Sequence, residues 1–445
     1  MGAAAPAVER LMDLLSANDK VGAYPPSFYA SNITAIADTA PVQGDLSCDV
    51  CVIGGGYTGL STALHLAERG YNVHLLEAQR IGFGASGRNG GQVGQGQRID
   101  QDELEKMFGD DRARELWNIG MQAVECVRDL SKSDLVHAEF HPGIAHADHR
   151  ARYVQHSRAY VEKMRTKYAY EHISFLDKEE MQALVQSQSY YGGSLDTRSG
   201  HIDPLQFALG LARMAQNAGA KLHERSRVTS IEHGSSVLVK TEAARISAKY
   251  VVLACNGYIG DLNADVTRRV MPINNYIIAT EPLSDAVRAS VLAKNIAVAD
   301  SRFVVNYFRF SDDNRMLFGG TESYSYKFPN DIAAQVRKPM LDIFPQLKNA
   351  KIDYAWGGTL GITMNRLPHF ARYGSGNVLS MSGFSGQGVA LGTLSGQIAA
   401  EAIAGQAERF DIMSQIPTPK FPGIRLMRQP LLILAMLWFS MRDKL

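Results

Sequence analysis

The feature that most constrains how this chain folds is a glycine-rich segment over residues 48–92. The segment opens with a short apolar run, passes through Gly54-x-Gly56-x-x-Gly59, and shows helical periodicity before a second apolar run that ends at Glu77. These periods predict a strand, a tight turn, a helix and a second strand, which is the repeating unit of a doubly wound α/β sheet. The sequence therefore predicts such a sheet, with a ligand crevice at the carboxyl ends of its strands.

The glycines of this turn suit a bound dinucleotide. Gly54 permits a sharp exit from the strand, Gly56 lets a pyrophosphate approach the backbone, and Gly59 allows close packing of helix on strand. The free N–H groups and the dipole of the following helix favour the anion. Glu77 lies 23 residues after Gly54, near the offset of about 20 residues at which an acid binds the ribose hydroxyls. Because a carboxylate repels a 2′-phosphate, NADP is excluded at this site.

The residues after Glu77 decide between NAD and FAD. Residues 81–92 (IGFGASGRNGGQ) form a second glycine-rich segment, in which Arg88 and Asn89 are embedded. An NAD domain normally continues from this strand into another crossover helix, whereas a flavin needs backbone close to its pyrophosphate and to the edge of its wide ring. The pattern therefore predicts FAD.

Composition sets limits on the other classes of protein. At 445 residues the chain exceeds one ordinary core, so two domains are expected, and 45% hydrophobic with 20% charged residues is typical of a soluble globular protein. The formal net charge is +1 without a block of like charge, so we predict no nucleic-acid partner. Cys48 and Cys51 form a CxxC pair inside the first strand, but no second pair completes a tetrahedral site. We predict no metal, and core packing for at least one of the two cysteines.

The two ends of the chain bear on its location. The N-terminal residues carry acids and lack a long apolar core, which argues against a secretory signal and predicts a cytoplasmic protein. The tail contains an apolar run over residues 431–439, flanked by Arg425, Arg428, Arg442 and Lys444. This run is shorter than the roughly 20 residues of a membrane span. It predicts a helix that docks on the body, on a partner or second copy, or on a membrane surface.

Patterns along the rest of the chain predict two interleaved domains. The buried strand that ends at Ala254 and the turn at Gly383–Val389, which leads into a small-residue helix, are expected to return to the cofactor. The fold class is α/β plus α+β: a Rossmann-like FAD-binding domain interleaved with a substrate domain on a mostly antiparallel sheet. The predicted division is an N-terminal arm over 1–47, a cofactor domain over 48–100, 190–270 and 356–410, a substrate domain over 101–189 and 271–355, and a tail with an apolar helix over 411–445.

Several segments resemble one flavoprotein family. They are CDVCVIGGGYTGLSTALHLAERG, LLEAQRIGFGASGRNGGQ, SGHIDPL, NYFRFSDDNRMLFGG, FPQLKNAKIDYAWGG and GFSGQGV, spread over most of the chain. In these segments the chain resembles the D-amino-acid-oxidase superfamily and, within it, the branch that oxidises γ-glutamylputrescine. The resemblance implies the D-amino-acid-oxidase and glutathione-reductase type of fold. It also implies oxidation of an amine C–N bond to an imine, hydrolysis to an aldehyde and ammonia, and O2 as the acceptor that becomes H2O2.

Two departures from the family leave the substrate open. Related sequences commonly carry histidine where this chain has Gln387, and Tyr276 stands where a smaller or amide side chain is expected. The substrate is therefore γ-glutamylputrescine or a similar polyamine derivative, or alternatively L-pipecolate or another secondary amino acid. A dehydrogenase with a quinone-type acceptor and a non-catalytic dinucleotide-binding protein are the other classes. No cysteine follows Cys255, so we expect FAD to be bound non-covalently.

The sequence also yields candidate site residues. We expect hydride transfer from a neutral amine with no obligatory catalytic acid or base, and His201 to fix a turn. Arg309 would pair with a substrate carboxylate, the alternative being a solvated strand residue. The candidate substrate residues are Tyr276, Tyr307, Arg309, Trp356, Phe384 and Gln387. The expected cofactor contacts are Gly54, Gly56, Tyr57, Thr58, Gly59, Glu77, Ala78, Arg80, Gly84, Ala85, Ser86, Arg88, Asn89, Gly90, Gly91, Gln92, Val228, Cys255, Asn256, Gly257, Gly361, Gly383, Ser385, Gly386, Gln387, Gly388 and Val389.

Overall fold

The structure is a computed structural model that describes residues 13–423 except 35, 38 and 324. The apolar run at 431–439 lies outside the described residues, so the docking of the tail stays a prediction. In the described part, no helix has the length and apolar character needed to cross a membrane.

Strands and helices alternate through most of the described chain. The strands are β1 (Gly44–Ile53), β2 (Val73–Leu76), β3 (Gln92–Val93), β4 (His141–Ala147), β5 (Ile173–Leu176), β6 (Gly193–His201), β7 (Lys221–His223), β8 (Val228–Glu232), β9 (Val237–Thr241), β10 (Ala244–Leu253), β11 (Met271–Thr280), β12 (Ala297–Asp300), β13 (Tyr307–Phe310), β14 (Met316–Ser323), β15 (Ile352–Ile362), β16 (His369–Tyr373) and β17 (Val378–Ser382). The α-helices are α1 (Phe28–Ser31), α2 (Tyr57–Ala67), α3 (Gln101–Phe108), α4 (Asp110–Ser131), α5 (Ala151–Thr166), α6 (Lys178–Leu184), α7 (Pro204–Asn217), α8 (Ala264–Arg269), α9 (Asp285–Ala289), α10 (Ile332–Ile343), α11 (Ala390–Ile403) and α12 (Glu408–Ser414). Short 3₁₀ turns cover Ala85–Gly87, Asn256–Tyr258 and Pro345–Leu347.

The first sheet has β1 at its centre. Its order is β16-β17-β10-β1-β2-β7, and β8 and β9 attach to it through β10. Strands β17, β10, β1, β2 and β7 run parallel, so their carboxyl ends meet at one edge. Along β1, Val50 and Val52 face a core shared with helices α2, α7 and α11, whereas Cys51 and Ile53 face a second core with β8 and β9. The strand is therefore buried on both faces, as a central parallel strand requires.

The second sheet is mostly antiparallel. Its order is β15-β11-β14-β13-β12-β4-β6-β3, with β5 paired to β6, and only the β12–β4 pair among these named strands is parallel. One face packs on α6 and α10 in a core of its own. The predicted fold class, a Rossmann-like domain interleaved with a substrate domain on a mostly antiparallel sheet, is confirmed.

Four parts of the chain pack differently from the predicted segments. β3 falls in the predicted cofactor segment 48–100, β6 in 190–270 and the end of β15 in 356–410, yet all three pair within the second sheet. Conversely, α3 and α4 of the predicted substrate segment pack in the core of the first sheet, through residues such as Leu104 and Leu116. These elements are placed by partners far away in sequence, which local periodicity does not report.

Candidate functional site

Two connected spaces open where the parallel strands end. The first, here called the strand-end cleft, has a volume of about 500 Å3 and lies at the carboxyl ends of β1, β2 and β10. The second, here called the inner cavity, has a volume of about 300 Å3 and lies between the second sheet and the strand-to-helix turns of the first. Ala85, Ser86, Ala254 and Asn256 line both spaces, so together they form one elongated site.

Backbone shapes the strand-end cleft. A methyl group on Gly59 would lie 1.9 Å from the carbonyl oxygen of Gly54, so α2 reaches β1 only because this residue is glycine. Gly56 has an extended backbone conformation immediately before α2, and a methyl group on it would lie 2.8 Å from Ser86 Oγ. That hydroxyl accepts a hydrogen bond from Tyr57 N at 3.0 Å. The turn thus leaves bare backbone at the amino end of α2.

Glu77 closes the far side of this cleft. Its Oε2 accepts a hydrogen bond from Gly55 N at 2.6 Å, and its Oε1 accepts one from Gln79 N at 2.8 Å. Burial raises the pKa of Glu77, and these backbone hydrogen bonds act in the opposite direction. The two backbone donors hold the carboxylate in place beside the glycine turn. An acid held beside a bare helix amino end is the donor and acceptor set that suits a ribose and its diphosphate.

Side chains shape the inner cavity. Tyr307 donates a hydrogen bond through its hydroxyl to Asn275 Oδ1 at 2.5 Å. Burial raises the pKa of Tyr307 well above its ordinary value, so the hydroxyl is neutral. Asp300 also lines the cavity, but Arg302 pairs with it and Asn306 N donates to it at 2.9 Å. The apolar residues that line the inner cavity include Phe303, Val305, Leu360, Ile362 and Phe384.

The structure brings most of the predicted cofactor residues together at these two spaces. The strand-end cleft is lined by Gly54, Gly56, Glu77, Ala78, Gly84, Ala85, Ser86, Val228, Cys255, Asn256 and Gly257. The inner cavity is lined by Tyr57, Thr58, Ala85, Ser86, Arg88, Asn89, Gly90, Gln92, Asn256, Gly361, Ser385, Gly386, Gln387, Gly388 and Val389. Arg88 is buried with its Nη1 on Asp19 at 2.9 Å, and its Nη2 has no partner within the described chain.

Four predicted cofactor residues lie behind the two spaces. Arg80 pairs with Glu224 at 2.7 Å, so its guanidinium group is directed away from both. Gly59, Gly91 and Gly383 allow close packing instead, because a methyl group on each would lie between 1.9 and 2.4 Å from a neighbouring atom. These four residues support the lining from behind, and a direct cofactor contact at these positions stays a prediction.

Three predicted substrate residues are also absent from the cavity lining. Tyr276 follows Asn275 in β11, and because adjacent strand residues face opposite sides, Tyr276 packs in the core of the second sheet. Arg309 is buried and donates through Nε to Gly90 O at 2.8 Å and through Nη2 to Ile202 O at 3.3 Å. Trp356 donates to Arg88 O at 3.0 Å.

Arg309 and Trp356 therefore support the 88–91 loop from behind. Tyr29 lies between them, since the Arg309 guanidinium is 6.0 Å from its ring and Trp356 packs edge-on against it at 5.3 Å. Arg309 and Trp356 thus contact the loop that lines the cavity, and a contact of either with substrate stays a prediction. Tyr307, Phe384 and Gln387 do line it, as the sequence predicted for the substrate pocket.

The structure adds polar residues that the sequence interpretation missed. Arg98, His146, Asn275, Glu322 and Arg366 all line the inner cavity. Burial lowers the pKa of His146, the charge of Asp196 acts in the opposite direction, and the charge of Arg98 lowers it further. The pKa stays below its ordinary value, so the imidazole is mainly neutral at pH 7. These five residues come from separate segments that share no motif. The one available signal was the charge of Arg98 directly after the second glycine-rich segment.

A group of possible metal ligands lies elsewhere. Asp100, Asp102 and His156 have ligand atoms within 4.8 Å of one another. Lys163 forms ion pairs with Asp102 and with Glu105 beside this group. A cation is thus already supplied by the chain, and the group gives no support to a metal site.

Comparison with a family model matches most of the chain. The model named DAO, described as FAD dependent oxidoreductase, matches residues 49–402. The probable oxidoreductase OrdL of Rhizobium meliloti (strain 1021) is 41% identical over 94% of this chain and 97% of its own length. The γ-glutamylputrescine oxidoreductase of Escherichia coli (strain K12) is 38% identical over 94% of this chain and 98% of its own.

Solved structures show the same fold. Glycine oxidase from Geobacillus kaustophilus superposes with a TM-score of 0.70 at 19% identity, covering 81% of this chain and 95% of its own. L-proline dehydrogenase from P. horikoshii gives a TM-score of 0.68 at 22% identity, covering 84% and 96%.

Proposed function

Because the chain belongs to the DAO family of FAD-dependent oxidoreductases, we propose that it oxidises the primary amine of γ-glutamylputrescine or of a similar polyamine derivative. FAD is the cofactor of this family. The observation that carries the choice of substrate is the similarity to the E. coli γ-glutamylputrescine oxidoreductase over nearly the whole of both chains. The two connected spaces support it, since they offer room for a dinucleotide and, next to it, for a small amine.

The reaction is a two-electron oxidation of a CH–NH2 group. FAD, when bound, accepts the two electrons and the hydrogen from the amine carbon. The substrate R–CH2–NH2 becomes R–CH=NH, and water then converts this imine to R–CHO and NH3. We propose O2 as the final acceptor, reduced to H2O2. Binding of FAD is proposed to be non-covalent, since Cys255, the last cysteine of the chain, lies in the strand-end cleft and donates to Ile53 O.

The residues of the strand-end cleft bind and orient the cofactor in this proposal. Glu77 accepts hydrogen bonds from the ribose, and the backbone at Gly54–Gly56 receives the diphosphate beside the amino end of α2. Arg88 and Asn89 approach the remainder of the cofactor from the 88–91 loop, which Arg309 and Trp356 hold in place. Through this loop, the buried Arg309 influences the position of the cofactor.

The inner cavity favours the neutral form of the amine. Tyr307, Phe384 and Leu360 line it with apolar surface, and an amine buried there loses its proton more easily because desolvation disfavours the charged form. The neutral imidazole of His146 offers a lone pair to an amine N–H. Only a neutral amine has the electron pair that assists loss of hydrogen from carbon, so no strong catalytic base is required.

An anaerobic reduction screen tests this proposal. The purified holoenzyme is mixed with γ-glutamylputrescine, putrescine, L-pipecolate or sarcosine, and loss of the flavin absorbance is followed. We expect fast reduction by γ-glutamylputrescine and slow reduction by the other three. Faster reduction by L-pipecolate would contradict the proposal and favour a secondary amino acid oxidase.

The acceptor requires a second measurement. We expect H2O2 to appear in air at the rate of amine oxidation, with no added acceptor. Turnover that needs a quinone would instead indicate a dehydrogenase.

A further inference from the structure

Arg98 enters the inner cavity without an ion pair. Its residue lines this cavity, and within the described chain its side chain forms no hydrogen bond. Its Nε lies 3.7 Å from the position that a methyl group on Gly386 would take, so the side chain runs along the turn that borders the cavity. Such a guanidinium group is poised to bind an anion.

Two further charges share this space with Arg98. Arg366 lines the cavity from the turn after β15, where its N–H donates to Thr363 O at 3.2 Å. Glu322 lines it from β14, opposite Asn275 and just after a bulge in the pairing with β11. Burial of the guanidinium group lowers the pKa of Arg98, the charge of Arg366 lowers it further, and the charge of Glu322 raises it. The three charges are therefore close enough to interact.

Resting on the proposed function, we infer that Arg98, Arg366 and Glu322 bind the α-amino-acid head of a γ-glutamyl amine. The carboxylate of that head pairs with the two guanidinium groups, and its ammonium group pairs with Glu322. The reacting amine lies at the opposite end of the same molecule and occupies the rest of the cavity. Two positive charges and one negative charge complement a head that carries one charge of each sign beside its α-carbon.

This arrangement explains why the γ-glutamyl group would matter for binding. A free diamine offers only cationic groups, which Arg98 and Arg366 repel. Asp300 does not offset this, because Arg302 already pairs with it. Glu322 offsets only one of the two arginines, so the three groups keep one net positive charge. The carboxylate of a γ-glutamyl amine offsets the other arginine, so the cavity is selective for the acylated substrate.

Three acylated putrescines separate the charges in an experiment. γ-Glutamylputrescine carries both head charges, N-glutarylputrescine keeps only the carboxylate, and N-pentanoylputrescine carries neither. Anaerobic flavin reduction gives the Kd and the limiting rate for each with the wild type, Arg98→Met, Arg366→Met, Arg98→Lys and Glu322→Gln. Flavin content is measured in parallel for every holoenzyme.

We expect the two Met variants to raise the Kd of both charged substrates by about tenfold to hundredfold, since a lost hydrogen bond to a charged group is worth that factor. The Kd of N-pentanoylputrescine should change by less than about threefold, and Arg98→Lys should recover part of the loss. Glu322→Gln should weaken γ-glutamylputrescine by about tenfold and leave N-glutarylputrescine unchanged. Arg69→Met is the matched control, because Arg69 is exposed and donates to His65 O away from both spaces.

The outcomes separate this inference from the proposed function. If the wild type is reduced by γ-glutamylputrescine but the variants keep its Kd, or weaken all three substrates equally, the inference is overturned and the proposed function stands. Loss of flavin from the Arg98 or Arg366 variants would also overturn it, because the arginines would then contact the cofactor. If no γ-glutamyl amine reduces the wild type, the proposed function fails, and the inference fails with it.

Discussion

The strand-end cleft and the inner cavity are built in different ways. The cleft lies at the ends of β1, β2 and β10, and the consecutive glycines Gly54, Gly55 and Gly56 line it with bare backbone. The cavity also receives polar and charged side chains from β4, β11, β13, β14 and the turns after β15 and β17. A backbone site tolerates little change because nothing can move aside, whereas a side-chain site sets selectivity residue by residue.

The largest effect is expected from Gly59→Ala, beneath the cleft. The added methyl group would lie 1.9 Å from the carbonyl oxygen of Gly54, so α2 must shift away from β1. We expect a loss of about 4 kcal/mol or more in the free energy of unfolding and protein that is recovered without flavin. Thermal unfolding and the flavin-to-protein absorbance ratio measure both effects.

Gly405→Ala is the control for this variant. Gly405 also changes from glycine to alanine, but nothing lies within 4 Å of the added group and only its positive φ of 93° is strained. We expect a loss of about 1 kcal/mol and full flavin content. Equal damage in the two variants would show that close backbone packing is not what the cleft depends on.

The second-largest effect is expected from Arg309→Met, at the residue that supports the 88–91 loop behind the inner cavity. Arg309→Met removes the donors to Gly90 O and Ile202 O and leaves these carbonyls buried. We expect the free energy of unfolding to fall by about 2–3 kcal/mol, while the Kd for substrate in the fully flavinated fraction changes by less than about threefold. A large rise in that Kd with unchanged stability would place Arg309 in contact with substrate after all.

The third effect concerns the side chain that closes the cleft. Glu77→Ala removes the acceptor for the Gly55 and Gln79 N–H groups and, in the proposed binding mode, for the ribose of the cofactor. We expect the Kd for FAD, measured by reconstitution of apoprotein, to rise by about tenfold to hundredfold. Glu68→Ala, an exposed change in the same unit, should leave it unaltered. An unchanged Kd in Glu77→Ala would remove this residue from the cofactor site.

The smallest effect is the loss of folding stability at acid pH that arises from His201. Burial, with the charges of Arg309 and His141, lowers the pKa of His201 to about 2 from an ordinary 6.5. The unfolded chain therefore binds a proton at His201 below about pH 6.5 while the native protein does not, so stability is lost as the pH falls. At pH 5 this amounts to about 1–2 kcal/mol relative to pH 7.

His201→Gln should reduce this loss by the same amount, as measured by denaturant unfolding at the two pH values. His233→Gln, at an exposed position, is its control. A loss that is equal in the wild type and His201→Gln would show that the region behind the cavity is not a source of acid sensitivity.

The sequence by itself determined the cofactor and most of its setting. The G-x-G-x-x-G spacing, Glu77 and the segment 81–92 specify backbone that a flavin dinucleotide requires, and these constraints are local because neighbouring residues form one turn. The resemblance in several short segments gave the family, which the comparison confirms. The fold class followed from the strand and helix periodicities of the hydrophobic residues in the sequence.

Only the tertiary structure decided which side chains face the inner cavity. Tyr276 and Asn275 are adjacent, yet strand alternation sends one into a core and the other into the cavity. Arg309 and Arg98 carry the same charge. Arg309 donates hydrogen bonds to backbone carbonyls, whereas Arg98 lines the cavity without an ion pair. The physical reason is that a side chain's role depends on partners brought close by long-range pairing of strands, and no local spacing in a sequence records those partners.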